Sequence, residues 1–215
     1  MATRRRRTTP EEPPVLLSGP PDRVATVVTV ENTTGSRLPV RRPVLHLSSG
    51  TSVPATGAAL VGAGSTVPVP VSAALDPATP PGSYDAELEV AGTRRRAVVQ
   101  VEERVAVRVS PAEVVVTDVG TSPLELRVSN DGNTPVTLAA TVAGRARDDG
   151  PEPGPDLLLD LGGTVTVPPG GTVVVSAGLV VPDGLDPRRR HTARLPVAVA
   201  DLTVIVLPRT TEETP

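Results

Sequence analysis

The chain has 215 residues and a formal charge of −3, with no cysteine, tryptophan or phenylalanine and a single tyrosine. That balance excludes disulfide and thiolate chemistry, a global attraction to polyanions, and stacking of sugars or single-stranded bases on aromatic platforms. Hydrophobic residues make up 38%, nearly all Val, Leu and Ala, and 26 Pro and 19 Gly interrupt them too often for helices, which leaves an all-β chain of short strands and frequent turns.

The N-terminal stretch "MATRRRRTTPEEPPVLL" is basic, then proline-rich, with few apolar residues before Ser18. That is too short for the apolar region of a secretory signal. Residues 1–14 are read as a disordered tail carrying Arg4, Arg5, Arg6 and Arg7. No stretch approaches the ~20 apolar residues of a membrane span; the Val-rich end "LPVAVADLTVIVLP" is interrupted by Asp201. The expectation is a cytoplasmic protein, or part of an assembly released without a signal peptide. All basic residues are arginine, read here as compositional bias shared with the scarcity of Ile.

Residues 15–103 are read as a first antiparallel β-sandwich. "VATVVTVENTTGSRLPV" is a strand ending at Asn32, a Gly-containing turn that carries Arg37, and a second strand. His46 in "PVLHLSS" falls on a strand face. In "TVPVPVSA", Pro68 and Pro70 lose amide donors that point the same way, so that side has no strand partner and the segment is an edge. "PPGSYDAELEV" and "TRRRAVVQV" form the next hairpin, with Arg94, Arg95 and Arg96 placed at it.

Residues 104–208 are read as a second sandwich on the same plan, joined to the first by a short stiff "VEERVAVRV", and residues 209–215 as a polar end. In "LELRVSNDGNTPVTL" the apolar residues alternate with Glu125 and Arg127, and Asp-Gly suits a tight hairpin. "GGTVVVSAGL" repeats "GSTVPVPVSAAL", and "HTARLPV" repeats "YDAELEV". The matched residues are Asn32 with Asn130, Ser72 with Ser176 and Ala86 with Ala193, offset by 98, 104 and 107. The growth fits insertions in the second copy, "GRARDDGPEPGPD" being one. Arg188, Arg189 and Arg190 precede the strand at His191.

"Pro81-Gly82-Ser83-Tyr84-Asp85-Ala86" resembles the tyrosine corner of immunoglobulin-like sandwiches, in which a hydroxyl bonds back to the chain and locks a bend. His191 holds the equivalent place in the second copy. With the Asn-x-Gly turn, these motifs resemble the tandem immunoglobulin-like or fibronectin-type-III-like domains of high-GC bacteria over roughly 190 residues. The resemblance implies two sandwiches placed end to end and is nearly mute on function.

A search for chemistry finds little. There is no nucleophile elbow and no His-Glu-x-x-His, and "GAGST" lacks the lysine and helix of a phosphate loop. Asp148, Asp149 and Glu152, or Asp183 and Asp186, are hard oxygen ligands suited to calcium, but their spacing is that of turn chemistry. No cofactor, metal or specific nucleic acid is expected, and no enzymatic activity. The arginines divide into two candidate contact patches: the tail with Arg37 and Arg94 to Arg96 at one end of the first sandwich, and Arg188 to Arg190 in the second. The expected function is that of a rod-like spacer or adaptor binding protein partners, for example in a phage-tail-like assembly; the alternative is a module that recognises calcium or an anionic partner.

Overall fold

A computed structural model describes residues 13–148, 150 and 154–209. Every element among them is a β-strand, and no helix is long and apolar enough to cross a membrane. The chain divides into two compact units, Met1–Glu102 and Glu103–Pro215.

Unit 1 contains β1 (Val15–Gly19), β2 (Val24–Glu31), β3 (Leu38–Val40), β4 (Val44–Leu47), β5 (Ser52–Thr56), β6 (Ala59–Val61), β7 (Thr66–Ala73), β8 (Gly82–Val90) and β9 (Thr93–Val101). Seven of these close into a ring in the order β1-β2-β7-β5-β4-β8-β9, while β3 pairs with β6. The expected pair of separate sheets is therefore joined at both margins. At one margin, β1 lies parallel to β9 along its length and touches β2 at Ser18↔Ala25. At the other, β5 pairs with β4 and then with β7. Just after β5, a Cβ at Gly57 would stand 2.8 Å from the Pro70 carbonyl oxygen, so only glycine fits where the chain passes this close to β7.

Pro68 and Pro70 pair with Thr29 and Val27 of β2, so the missing donors face the other side. There β5 lies alongside only at Ser72 and Ala73. The edge expectation thus holds for the proline segment and not for the whole strand. The hairpin between β8 and β9 turns on Ala91 (φ 53°) and Gly92 (φ 78°), the left-handed pair that a two-residue loop requires. Inward residues alternate along each strand, as in Ala86, Leu88 and Val90 of β8 and Ala97, Val99 and Val101 of β9. Burying one Val or Leu side chain contributes about 1.5–3 kcal/mol.

Unit 2 contains β10 (Val107–Ser110), β11 (Glu113–Val116), β12 (Gly120–Asn130), β13 (Val136–Leu138), β14 (Thr141–Arg145), β15 (Asp156–Asp160), β16 (Val165–Val167), β17 (Thr172–Val181), β18 (His191–Val197) and β19 (Ala200–Val206). One sheet runs β10-β12-β17-β15-β14, a second β11-β19-β18, and β13 pairs with β16. The stretch corresponding to β1 is broken at Pro111: β10 joins β12, and β11 joins β19 in parallel. No strand among the described residues bridges that margin, and unit 2 remains two sheets there.

The registers correct the internal alignment. Glu31↔Thr66 in unit 1 corresponds to Ser129↔Thr172 in unit 2, which lays 66–73 on 172–179 without a gap. The offset is 172 − 66, or 106, and Ser72 matches Gly178 rather than Ser176. A slip of two residues keeps every side chain on its own face, so alternation alone does not detect it. The Asp-Gly turn after β12 is likewise not a hairpin, because β13 pairs with β16 in place of β12.

Candidate interaction surfaces

Two polar anchors recur in both units. The Tyr84 hydroxyl donates to the Pro80 carbonyl at 2.8 Å while its half-buried ring packs on the core of unit 1. In unit 2, buried His191 places Nε2 3.0 Å from the Asp186 carbonyl, to which it donates. The second anchor is asparagine. Buried Asn32 donates to the carbonyls of Ser36, Val61 and Gly62 and accepts from the Thr34 amide. Buried Asn130 donates to Thr134 and Val167 and accepts from the Gly132 amide. Each ties the end of a strand to a two-stranded ribbon, β3–β6 in unit 1 and β13–β16 in unit 2. The sequence marked both asparagines only as turn residues.

The expected arginine patches are placed unevenly. Arg4 to Arg7 lie outside the described residues. Arg37 is exposed just before β3, and Arg94, Arg95 and Arg96 lie within β9 rather than in its hairpin loop. Arg94 stands opposite Glu89 and bonds it at 3.0 Å, with Glu87 at 3.7 Å; Arg96 stands opposite Glu87. Arg95 reaches the Thr29 carbonyl on β2 at 3.4 Å. Much of this basic charge is matched by carboxylates on the next strand.

His46 belongs to the same face. Its Nδ1 is 2.8 Å from Ser52 Oγ and its Nε2 is 3.3 Å from Glu89 Oε2. The hydrogen bond from Arg94, then that from His46, hold the Glu89 carboxyl below its ordinary value. The order Ser-His-Glu is that of a nucleophile, a base and its orienting acid. Here, however, Glu89 is shared with Arg94 and Ser52 stands exposed on a strand face, where nothing excludes water. Sequence reasoning missed this network, although the two-residue hairpin alone sets Glu89 against Arg94.

In unit 2, Arg189 bridges Asp148 at 3.1 Å and Asp186 at 3.3 Å, so the insertion before β15 is tied to the turn before β18. Arg188 and Arg190 are exposed. The amide of Gly150, followed by Arg189, keeps the Asp148 carboxyl below its ordinary value. Asp149 and Glu152 lie outside the described residues; among those described, no group of three or more side chains is arranged to hold a metal ion. Arg145 of β14 forms a fork with Asp156 at 2.9 and 3.4 Å, which lowers the Asp156 carboxyl and raises the guanidinium. Arg147 and Arg194 make no ion pair with a carboxylate among the described residues.

The open margin of unit 2 is the main surface that the sequence did not show. Among the described residues, β11 pairs only with β19, and β12 has β10 beside it only from Arg127 to Asn130. Between them lies a groove of about 320 Å³ whose lining combines Val114, Val115, Val116, Pro123, Leu124 and Leu179 with the polar Thr117, Asp118 and Ser122. Val115 is 53% exposed.

No family model and no curated protein matches the chain. Similar solved structures include the CupB2 chaperone of Pseudomonas aeruginosa, at 10% identity over 93% of this chain and 99% of that one, TM-score 0.32. The E. coli chaperone DraB is similar at 8% identity over 90% and 91%, TM-score 0.32. A protein of unknown function from Porphyromonas gingivalis W83 is similar at 15% identity over 90% and 96%, TM-score 0.28. These matches correct the resemblance drawn from the motifs: the chains found are chaperones and an unassigned protein, not the tandem immunoglobulin-like or fibronectin-type-III-like domains of high-GC bacteria, and nothing identifies a high-GC source. The spacer, adaptor and phage-tail reading falls with that resemblance, and its calcium or anionic-module alternative is no better supported. The physical reason is that an asparagine turn and a tyrosine corner specify strand geometry, which unrelated proteins share. Likeness at these TM-scores assigns no activity to this chain.

Proposed function

We propose that the chain is a non-catalytic protein of two immunoglobulin-like units that binds protein partners, and that the margin between β11 and β12 receives an extended segment of the partner. The observation that carries the reading is that margin. In unit 1 the single strand β1 spans the two sheets; in unit 2 the same stretch is divided, and two strand edges flank a groove of mixed apolar and polar lining. Unpaired strand edges accept a further strand, with main-chain hydrogen bonds supplying affinity and alternate side chains supplying specificity. Val115 beside the groove offers apolar surface to such a segment.

The test is selection of binders from a displayed random-peptide library, followed by titration of the synthetic peptides. Extended peptides with alternating apolar residues are expected to bind, and Val115→Arg is expected to weaken them without lowering the melting temperature. Selected peptides that bind Val115→Arg and the natural chain equally well would overturn the reading.

A further inference from the structure

The same face of the two units carries opposite chemistry. In unit 1, β4 and β8 are laddered from Val44↔Glu89 to Leu47↔Ala86, and the Ser48 amide continues the ladder to the Asp85 carbonyl. In unit 2 the corresponding strands meet at one bridge, where Arg147 and Thr192 exchange hydrogen bonds of 2.9 and 2.8 Å. Matching that bridge to Ser48 and Asp85 puts Arg145, Arg147, Thr192 and Arg194 where unit 1 has His46, Ser48, Asp85 and Glu87. The strands do not part completely: Gly144 lies so close to Arg194 that a Cβ would overlap the Arg194 carbonyl. Between them is a cavity of about 520 Å³ lined by Arg145, Arg147, Thr192 and Arg194.

Three arginines line this cavity, and Asp156 neutralises one of them. Across the sheet Arg194 faces Thr203, and across the bridge Arg147 faces Thr192, so neither meets a cross-strand carboxylate as Arg94 and Arg96 do in unit 1. Two guanidiniums of like charge in one concavity are favoured when a counter-charge joins them. Each is a planar fork that matches a carboxylate in bidentate fashion. The volume falls in the range of pockets that enclose an organic group, which is more room than one inorganic oxyanion fills.

We infer that the concavity between β14 and β18 binds the carboxylates of an acidic segment on a protein partner, with Arg147 and Arg194 as the recognising forks. The inference rests on the protein-binding reading above but uses a different surface. A labelled hexaglutamate peptide, titrated into the full chain by fluorescence anisotropy at low salt, tests it. Binding is expected to weaken as salt rises, and Arg147→Ala with Arg194→Ala to weaken it roughly tenfold or more. Arg127→Ala, an exposed arginine elsewhere on unit 2, is expected to leave it unchanged, and inorganic phosphate at equal concentration is expected not to displace the peptide. Absence of hexaglutamate binding, an equal loss in Arg127→Ala, no loss in the double variant, or displacement by phosphate would overturn the assignment. Peptides selected at the β11–β12 margin bind the double variant normally if only this inference fails; loss of the margin's selectivity marks failure of the broader reading.

Discussion

His191 stands in unit 2 where Tyr84 stands in unit 1. Each lies two residues before an alanine, Ala86 or Ala193, that faces the last strand at Ala97 or Val204, and each bonds a carbonyl a few residues upstream. Phenylalanine at position 84 would keep the ring packing and lose one hydrogen bond. We expect Tyr84→Phe to cost unit 1 about 1 kcal/mol, read as a shift in its urea midpoint at constant slope. His191→Ala removes a buried ring as well as a bond and should cost unit 2 more than Tyr84→Phe costs unit 1.

Asn130 is bonded on both ends of its amide to backbone in and across its turn. Asn130→Ala strands the Gly132 amide and the Val167 carbonyl, at about 1–3 kcal/mol for a buried group left unpaired. Chemical denaturation should show the loss in the unit 2 transition, with unit 1 unaffected. Asn32→Ala should produce the converse.

Gly144 admits no side chain, because a Cβ there meets the Arg194 backbone carbonyl. Gly144→Ala must push β14 from β18 and should lower the melting temperature of unit 2. Gly163→Ala serves as the comparison, since a Cβ at Gly163 meets nothing within 4 Å, and should leave that temperature nearly unchanged.

Glu89, Asp148 and Asp156 all have carboxyls held below their ordinary values, led respectively by the Arg94 hydrogen bond, the Gly150 amide and the Arg145 fork. A carboxyl depressed in the folded state binds its proton more readily when unfolded. The stability it contributes is complete above the ordinary carboxylate range of about pH 4 and is lost as pH falls through the lower folded value. Urea midpoints should therefore fall on acidification below that range. Asp156→Asn should flatten the acid limb for unit 2 and leave that of unit 1 as it was.

Much of the strand plan was legible because alternation along β8, β9 and β12 is regular and the turn residues are distinctive. The ring in unit 1 was not, since it depends on β1 and β5 each pairing with two strands, a choice that periodicity does not encode. The split of β10 from β11 escaped likewise, because alternation does not say which neighbour a strand takes. The charge matching of Arg94 and Arg96 was within reach, because the Ala91-Gly92 loop fixes which residues face one another. The grouping of Arg145, Arg147 and Arg194 was not, since it depends on the spacing of two strands from different sheets.

The most direct test of partner binding at the open margin is hydrogen exchange of the full chain with and without a selected extended peptide. Added protection concentrated in 113–116 and 120–126 is the predicted result. Unchanged exchange in both stretches, with protection appearing elsewhere while the peptide is bound, would contradict it.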